Sequence, residues 1–386
     1  GVYPALAVLQ ALTDNPVNGG QKAASGNAED GSGGSSSPSV LWVGGTGGME
    51  ADLVKRAGVP FEAVDAAGVH GVGLRALPGN LARLSRGYLQ ARRILDRFRP
   101  DALFFTGGYV AVPVALAART RPGRKPPVIL YVPDIEPGLA LKTLARFADH
   151  IALTTSESQA YFPRRKGQAL SVTGYPTRPE LTAWDYHQAC RTLGVSEDLP
   201  VLLVVGGSTG AQSINRALWQ VLHRLLARAQ VIHLTGRLDW PQVDKVRSRL
   251  DASLSSRYIA HPYLHSEQMG AAFTAATVVL SRAGASSLGE YPLFGLPAIL
   301  VPYPYAWRYQ QVNAQFLAER GAAVIVQDAD LPERLLDTAL DLLHNPQRCE
   351  QMRQAMRSLA LPDAARSIAG IIQDLALRNG LQGGSL

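Results

Sequence analysis

The chain has 386 residues, of which 46% are hydrophobic and 18% are charged. This length predicts two domains of ordinary size, and the hydrophobic content excludes an intrinsically disordered polymer. The net charge is +7, with only 6 Lys among 38 basic residues, and +6 of it lies within residues 1–175, which indicates an anionic partner for that half: a phosphate-bearing ligand, a nucleic acid or an anionic membrane surface.

The cysteines and the hydropathy pattern indicate in which cellular compartment the protein works. Cys190 and Cys349 lie far apart without a CxxC pattern, which argues against a disulfide framework or a zinc site and fits a reducing cytoplasm. The uncharged run 102–118 is interrupted by two glycines and a proline, and the N-terminus lacks the basic-then-apolar pattern of a signal peptide. Any membrane contact is therefore expected to be peripheral.

The first residues predict a helix and then a flexible insertion. The chain begins without Met, directly in an amphipathic helical pattern over residues 3–12, so we expect a preceding strand that this sequence does not contain. Residues 14–39 are rich in Gly, Ser and Asn and lack aromatic residues, which is typical of a flexible surface loop without catalytic residues.

After this loop, short hydrophobic runs alternate with helical patterns along the chain. This alternation of strands and helices predicts parallel sheets with crossover helices. It therefore predicts a doubly wound α/β fold with ligands in the cleft between two domains. Gly174, Pro176 and Pro179 break regular structure within residues 171–181, which predicts a domain boundary there and gives domains 1–175 and 176–363. A C-terminal helix at about 364–386 is expected to pack back on the first domain. The predicted strands are 40–43, 102–105, 128–131, 151–154, 201–205, 231–234, 278–280, 298–301 and 323–326.

The segment 74–99 predicts a basic amphipathic helix, confined by Pro78 and Gly79 to residues after about 80. Such a helix either packs its hydrophobic stripe on the sheet or docks on anionic headgroups, and the excess of Arg over acidic residues favours docking. The residues predicted to contact the membrane are Leu81, Leu84, Tyr88, Arg83 and Arg86.

The sequence VLLVVGGSTGAQSIN at 201–215 predicts a strand, a glycine loop and a helix. This arrangement is typical of phosphate binding, since glycines let backbone N–H groups approach an anion at the positive end of a helix, and Ser208 or Thr209 can donate a hydroxyl. The spacing matches neither the ATP-type nor the NAD-type glycine motif. A tight strand-to-helix turn without a ligand remains the alternative.

A second loop follows in LSRAGASSLGEYPLFGLPAILVPYP at 280–304, where Glu290 falls on the first turns of a helix. A carboxylate there can accept both hydroxyls of a ribose, although an acidic residue at a helix N-terminus is also favoured by the helix dipole alone. Farther on, the polar run Tyr309, Gln310, Gln311 and Asn313 is suited to binding sugar hydroxyls, with a solvated helix start as the alternative.

Other polar residues are interpreted as structural. Asp328 and Asp330 imitate the metal-binding DxD of sugar transferases, but they precede a helix and are expected to cap it, without a metal. His233 ends a strand and is expected in the core. The remaining histidines singled out, His150, His187, His223 and His344, are expected on helix surfaces without partners.

Together these segments resemble the MurG family, the peripheral membrane enzymes that transfer N-acetylglucosamine from UDP-N-acetylglucosamine to the lipid-linked muramyl-pentapeptide of peptidoglycan synthesis. The resemblance spans nearly the whole chain. It rests on VYPALAV at 2–8, WVGGTGGMEADLVKRAGVPF at 42–61, GGYVAVPVALAA at 107–118, GYPTRPEL at 174–181, GGSTGAQSIN at 206–215, SRAGASSLGEYPLFGLPAILVPYP at 281–304, QQVNA at 310–314 and LPDAA at 361–365.

The resemblance implies the GT-B fold, in which two Rossmann-like domains face each other, with the acceptor on the first and the nucleotide sugar on the second. It implies a bacterial enzyme at the cytoplasmic face of the cell membrane, without metal, cofactor or nucleic acid, whose acceptor is undecaprenyl-pyrophosphoryl-muramyl-pentapeptide. Gly107, Gly108 and Tyr109 would lie on the acceptor side. The implied donor-site residues are Gly207, Ser208, Thr209 and Gly210 for the diphosphate, Arg178 facing the phosphates, Leu264 by the uracil, Glu290 for the ribose, Gln310 for the sugar, and Ala285 and Ser286 completing the loop.

The sequence departs from the family on the acceptor side. The family's first glycine loop ends in a His where this chain has Gly1, and the later His-Glu-Gln-Asn loop reads Tyr131, Val132, Pro133, Asp134 here. The GGTGG at 44–48 imitates a phosphate loop, but its place along the chain argues against that role.

We interpret the chemistry as an inverting transfer, in which a base deprotonates the acceptor hydroxyl while UDP departs, with electrostatic stabilisation of the leaving diphosphate as the largest contribution. Asp134 and Glu136 are the candidate bases, because they follow the carboxyl end of a predicted strand; a role in shaping the turn is the alternative. The competing functions are transfer to another lipid, UDP-N-acetylglucosamine 2-epimerisation, and a non-catalytic nucleotide-binding or lipid-binding role.

Overall fold

The computed structural model describes residues 2–14, 38–47, 50–66, 77–207, 210–304 and 309–382. The chain forms two compact units. Unit 1 comprises Gly1–Pro133, Pro137–Pro176 and Asp363–Leu386, whereas unit 2 comprises Asp134–Glu136 and Thr177–Pro362. Most of the predicted insertion at 14–39 lies outside the described residues.

Strands and helices alternate along both units. The strands are β1 (Trp42–Gly45), β2 (Phe61–Val64), β3 (Leu103–Phe105), β4 (Val128–Val132), β5 (His150–Leu153), β6 (Ala169–Val172), β7 (Val201–Val205), β8 (Gln230–Leu234), β9 (Tyr258–His261), β10 (Val278–Ser281), β11 (Ala298–Leu300) and β12 (Ala323–Ile325). The helices are α1 (Val2–Asp14), α2 (Glu50–Arg56), α3 (Leu77–Phe98), α4 (Ala111–Thr120), α5 (Leu139–Leu144), α6 (Tyr186–Leu193), α7 (Gln212–Leu226), α8 (Val243–Arg247), α9 (Ala252–Ser255), α10 (Ser266–Ala275), α11 (Glu290–Phe294), α12 (Tyr309–Glu319), α13 (Leu331–His344), α14 (Pro346–Arg357) and α15 (Ala364–Gln382).

All described strand pairs are parallel, as the alternation predicts. Unit 1 contains a β1-β2 pair and a four-stranded sheet of order β3-β4-β5-β6, and its last helix, α15, packs on α1. Unit 2 contains one six-stranded sheet of order β12-β11-β10-β7-β8-β9. The doubly wound α/β class predicted from the sequence is confirmed.

The central strands are continuous hydrophobic runs because helices cover both faces of a parallel sheet. Every residue of β4, VILYV, is buried, and so are the first four of β7, VLLV. Strands β2, β6 and β9 were not predicted from the sequence. The last two are edge strands, and β6 has two exposed and two half-buried residues, so neither needs the unbroken hydrophobic run that identifies a central strand.

Helix α3 begins at Leu77, earlier than predicted. The prediction that Pro78 and Gly79 exclude helix before residue 80 was wrong, because a proline in the first turn loses no intrahelical hydrogen bond. The helix packs closely on β2 and α4. A Cβ atom on the buried Gly87 would lie 1.9 Å from the backbone oxygen of Asp65, whereas Gly79 has open space around it.

These two glycines of one helix give opposite predictions for substitution by alanine. Gly87→Ala should lower the free energy of unfolding by about 1–3 kcal/mol, since the backbone of residue 65 has to move. Gly79→Ala should leave it unchanged or raise it by up to about 1 kcal/mol through better helix propensity. Urea unfolding followed by circular dichroism measures both, and equal effects at the two positions would contradict the packing described.

Candidate active site

The loops that follow β7 and β10 lie side by side in unit 2. These strands are neighbours in the sheet, yet the chain proceeds from β7 to β8 on one side and from β10 to β11 on the other. A reversal of strand order opens a crevice at the carboxyl ends of the two strands, which is where ligands of doubly wound sheets bind. Both loops singled out in the sequence, at 206–210 and 282–290, are therefore at the switch point of this sheet.

The loop after β7 requires glycine at three of its positions. Gly207 and Gly210 have φ of +78° and +88°, values that L-residues rarely adopt. A Cβ on Gly210 would lie 2.5 Å from the Thr235 oxygen, and one on Gly206 would lie 2.5 Å from the Ala211 nitrogen. Helix α7 then begins at Gln212, so its N-terminal N–H groups face the end of this loop. Ser208 and Thr209, also predicted to bind the donor, lie outside the described residues.

The loop after β10 brings the predicted ribose-binding carboxylate together with two other predicted residues. Glu290 is the first residue of α11, and the hydroxyl of Ser286 donates a hydrogen bond to its carboxylate. Arg178 acts on the same carboxylate through its positive charge and donates a hydrogen bond to Ser266 Oγ, at the start of α10. Leu264 is buried in the preceding β9–α10 loop, and Ala285 opens the short 3₁₀ helix before α11.

Desolvation raises the pKa of Glu290 to about 7, although the Arg178 charge and the Ser286 hydrogen bond both oppose this shift. The carboxyl group therefore changes charge near neutral pH in the ligand-free protein. A carboxyl whose charge is poorly solvated gains more from accepting hydroxyl groups of a ligand than a solvated carboxylate would.

Arg282 joins the loop after β10 to the first turn of α7, a contact that was not predicted from the sequence. Its guanidinium donates to Ser213 Oγ in the first turn of α7 at 2.7 Å and to the Val301 carbonyl after β11 at 3.1 Å, and it also pairs with the carboxylate of Asp328. The prediction that Asp328 and Asp330 cap a helix is right only in position, since Asp330 is the N-cap residue of α13. Asp330 makes no cap hydrogen bond to α13, and Asp328 instead balances the Arg282 charge and accepts from Ser213 Oγ at 2.7 Å.

Two residues of the polar run at the start of α12 make hydrogen bonds to other segments. Gln310, predicted to contact the sugar, accepts a hydrogen bond from the Tyr303 backbone N–H at 2.9 Å through Oε1 and so holds the segment after β11. Asn313 is fully buried and donates from Nδ2 to the Ala283 carbonyl at 3.2 Å and to Asp134 Oδ1 at 2.8 Å. Its Oδ1 accepts from the Ile135 N–H at 3.2 Å.

The two candidate bases differ in environment. Asp134 is half-buried, and desolvation raises its pKa against the opposing hydrogen bond from Asn313. Glu136 is buried, with 8% exposure. Asn313 thus links Asp134 to the loop after β10, which leaves Asp134 as the candidate that is both near the loop and partly accessible.

Gly107 and Gly108, which are predicted to lie on the acceptor side, have φ of +104° and +88° and connect β3 to α4, with the exposed Tyr109 after them. A cavity of about 280 Å³ also lies in unit 1, lined by Gly45, Thr46, Asp65, Ala66, Arg83 and Val110. Thr46 Oγ1 donates to Asp65 Oδ1 at 3.0 Å. No phosphate-binding role was predicted for the glycine run at 44–48, but the cavity includes two of its residues at the carboxyl end of β1.

The hydrophobic part of the predicted membrane surface needs correction. Tyr88 packs against the core of unit 1, and its hydroxyl is 2.8 Å from Thr120 Oγ1 of α4, because the stripe it belongs to continues into the buried Ala91 and Leu95. Leu84 is half-buried, and the side chain of Leu81 lies outside what the structure describes. Arg83 and Arg86 are exposed. Within the described residues, no helix combines the length and hydrophobicity needed to cross a bilayer.

The prediction for His233 is confirmed, since it is fully buried in β8. The prediction that three of the other histidines lack partners was wrong. His150 lies on β5 and contacts Ser171 Oγ at 2.8 Å, while His187 pairs with Glu197 and His223 with Asp251, at 2.7 and 3.1 Å. Sequence spacing does not show these contacts, because each partner comes from another part of the chain.

Comparison with known proteins agrees with this architecture. Residues 35–153 match the glycosyltransferase family 28 N-terminal domain, and residues 201–368 match the corresponding C-terminal domain. A protein of Roseiflexus sp. (strain RS-1) is 40% identical over 98% of this chain and 93% of its own. It is named UDP-N-acetylglucosamine–N-acetylmuramyl-(pentapeptide) pyrophosphoryl-undecaprenol N-acetylglucosamine transferase.

Solved structures give the same result. The crystal structure of Acinetobacter baumannii MurG superposes with a TM-score of 0.70 at 26% identity, covering 97% of this chain and 96% of that one. A UDP-GlcNAc 2-epimerase from Neisseria meningitidis, solved with bound UDP-GlcNAc, reaches a TM-score of 0.63 at 12% identity, covering 97% and 96%. The second likeness shows the GT-B fold alone.

Proposed function

The chain belongs to the MurG family of glycosyltransferases, which transfer N-acetylglucosamine from UDP-N-acetylglucosamine to lipid-linked muramyl-pentapeptide in peptidoglycan synthesis, and we propose which of its residues bind the donor, bind the acceptor and act as the base. Unit 2 binds the nucleotide sugar at the switch point between β7 and β10. The observation that carries this assignment is the pairing of a glycine loop before the α7 N-terminus with Glu290, Ser286 and Arg178 after the neighbouring strand.

In this proposal Glu290 accepts both ribose hydroxyls and Leu264 contacts the uracil. The diphosphate lies at the glycine loop, where the N–H groups of residues 207–210 and the first turn of α7 donate to it, with Arg178 nearby. Gln310, Ala285 and Ser286 surround the sugar. Negative charge grows on the diphosphate as the glycosidic bond breaks, so preorganised backbone donors stabilise the transition state more than the ground state.

The acceptor hydroxyl attacks the anomeric carbon with inversion while its proton passes to a base. We assign the base to Asp134, because desolvation raises the pKa of its carboxyl and Asn313 holds it beside the Ala283 carbonyl of the donor loop. Glu136 is the alternative. The acceptor, undecaprenyl-pyrophosphoryl-muramyl-pentapeptide, is assigned to unit 1, with Gly107, Gly108, Tyr109 and the cavity beside Arg83 as its candidate contacts.

Peripheral attachment to the cytoplasmic face of the membrane is assigned to the exposed face of α3. Arg83, Arg86 and Arg93 are exposed there, and Leu89 is 57% exposed between them. Cationic side chains around an exposed hydrophobic residue suit an anionic bilayer. Tyr88 takes no part, since it packs on α4.

The affinity for UDP-N-acetylglucosamine should depend on pH through Glu290. If the ionised carboxylate binds the ribose and the pKa of the free carboxyl is about 7, the Kd measured by calorimetry should be roughly tenfold weaker at pH 6 than at pH 8. Glu290→Gln should remove this dependence, and Glu290→Ala should weaken binding at least about tenfold at pH 8. Asp341→Asn, which alters an exposed carboxylate paired with Arg348, is the control. Wild-type affinity in Glu290→Ala would remove Glu290 from the site.

Asp134→Asn should lower kcat for transfer to a lipid-linked muramyl acceptor by roughly 10²–10⁴-fold, the usual contribution of a general base, without weakening donor binding. Glu136→Gln should have a smaller effect. Steady-state kinetics and calorimetry on each variant separate the two quantities. If both variants keep wild-type turnover, the base is another group.

Binding to vesicles that contain anionic lipid should weaken in the double variant Arg86→Gln/Arg93→Gln. At about 1 kcal/mol for each surface Arg, the partition coefficient should fall roughly 30-fold. Sedimentation across a salt series measures it, because salt screens this attraction. Arg348→Gln in unit 2 is the matched control, and equal losses in both proteins, or binding that ignores salt, would exclude this face of α3.

A further inference from the structure

A chain of buried polar side chains runs behind the glycine loop of unit 2. Asn215, in the first turn of α7, and His233, on β8, are both fully buried, and Tyr258 on β9 is 2% exposed. Asp239, in the segment after β8, is 9% exposed. Burying this many polar groups in a hydrophobic core is costly unless each of them is paired.

The hydrogen bonds among these buried side chains are consistent with a single assignment of donors and acceptors. Asn215 Nδ2 uses both its hydrogens, donating to the Thr235 carbonyl at 2.8 Å and to Asp239 Oδ2 at 2.7 Å. Asn215 Oδ1 is then the acceptor for His233 Nε2–H at 2.9 Å, which leaves His233 Nδ1 to accept from the Tyr258 hydroxyl at 2.9 Å. Trp219 Nε1 donates to that hydroxyl at 3.1 Å.

Burial keeps the imidazole neutral, as this pattern requires. Desolvation lowers the pKa of His233 to about 3, so protonation does not disturb the chain near neutral pH. A neutral His233 with its hydrogen on Nε2 is the tautomer that lets Asn215 direct its amide group toward the Thr235 carbonyl and Asp239.

The end of β8, to which Asn215 binds, also packs against the glycine loop. The Thr235 carbonyl that accepts from Asn215 is the atom that a Cβ on Gly210 would approach to 2.5 Å, and Gly206 N–H donates to the Leu234 carbonyl at 3.3 Å. Asn215 itself lies one turn into the helix whose N-terminus follows the loop. The amide of one side chain therefore ties together the end of β8, Asp239 and the beginning of α7.

We infer that Asn215, His233 and Asp239 are positioning residues for transfer, which act by fixing the backbone N–H groups of Gly207, Gly210 and the first turn of α7 against the leaving diphosphate. This inference rests on the proposed donor site. None of the three touches the donor in this assignment. A displacement of the loop donors affects the transition state more than donor binding, because Glu290 holds the ribose independently of this chain.

The test compares kcat, the KM for UDP-N-acetylglucosamine and the melting temperature among variants of the full chain. Asn215→Ala should lower kcat about 10–100-fold while KM changes less than about threefold. Tyr258→Phe is the matched control, because it removes a hydroxyl from the same chain at the end away from the loop; it should lower the melting temperature while kcat stays within about twofold.

A second pair of variants keeps the inference testable if Asn215→Ala does not fold. His233→Gln retains a side-chain N–H directed at Asn215 Oδ1 and should restore most of the kcat that His233→Leu loses. Equal kcat in the two His233 variants, or a loss of kcat in Tyr258→Phe as large as in Asn215→Ala, would overturn the inference and leave the chain a purely structural role. Unchanged donor binding in Glu290→Ala would instead refute the proposed donor site, so the two failures are distinguishable.

Discussion

The parallel arrangement of the strands in unit 2 is the constraint on which the candidate site depends. In a parallel sheet the carboxyl ends of all strands lie at one edge. The order β12-β11-β10-β7-β8-β9 makes β7 and β10 neighbours, although 72 residues lie between the last residue of β7, Val205, and the first residue of β10, Val278. That neighbourhood brings a glycine loop and a carboxylate-bearing loop to the same crevice. Neither loop has the groups for the proposed donor site alone, since one offers backbone N–H donors and the other the Glu290 carboxylate.

Buried polar side chains fix the loops that the sheet brings together. Asn215 ties the end of β8 to the start of α7, Arg282 ties the loop after β10 to the same helix, and Asn313 ties that loop to Asp134. An unpaired amide or guanidinium in these positions would cost roughly 1–3 kcal/mol or more, so each contact restricts the alternatives open to the loop. Preorganisation of this kind lets loop donors stabilise developing charge without rearranging during the reaction.

Desolvation also sets the protonation of the site. It raises the pKa of Glu290 and of Asp134, each against an opposing hydrogen bond, and it lowers the pKa of His233. The three groups serve different purposes in the proposed mechanism. A carboxyl whose pKa is raised by desolvation can bind hydroxyls or accept a proton, whereas a histidine held neutral serves as a fixed donor and acceptor.

The sequence by itself determined the α/β class, the central strands, the glycine loop and Glu290, because each depends on local features: hydrophobic runs, glycines in a strand-to-helix turn, and an acidic residue at a helix start. Its similarity to the MurG family determined the reaction. Only the tertiary structure decided that Tyr88 packs inward, that Asp328 pairs with Arg282, and that Asn215 and His233 share one hydrogen-bonded chain. Edge strands such as β6 were likewise invisible in the sequence, since their solvent-facing side relaxes the hydrophobic pattern. The side-chain contacts share one physical reason: their partners come from distant segments, and no spacing along the chain encodes which segments the sheet order will bring into contact.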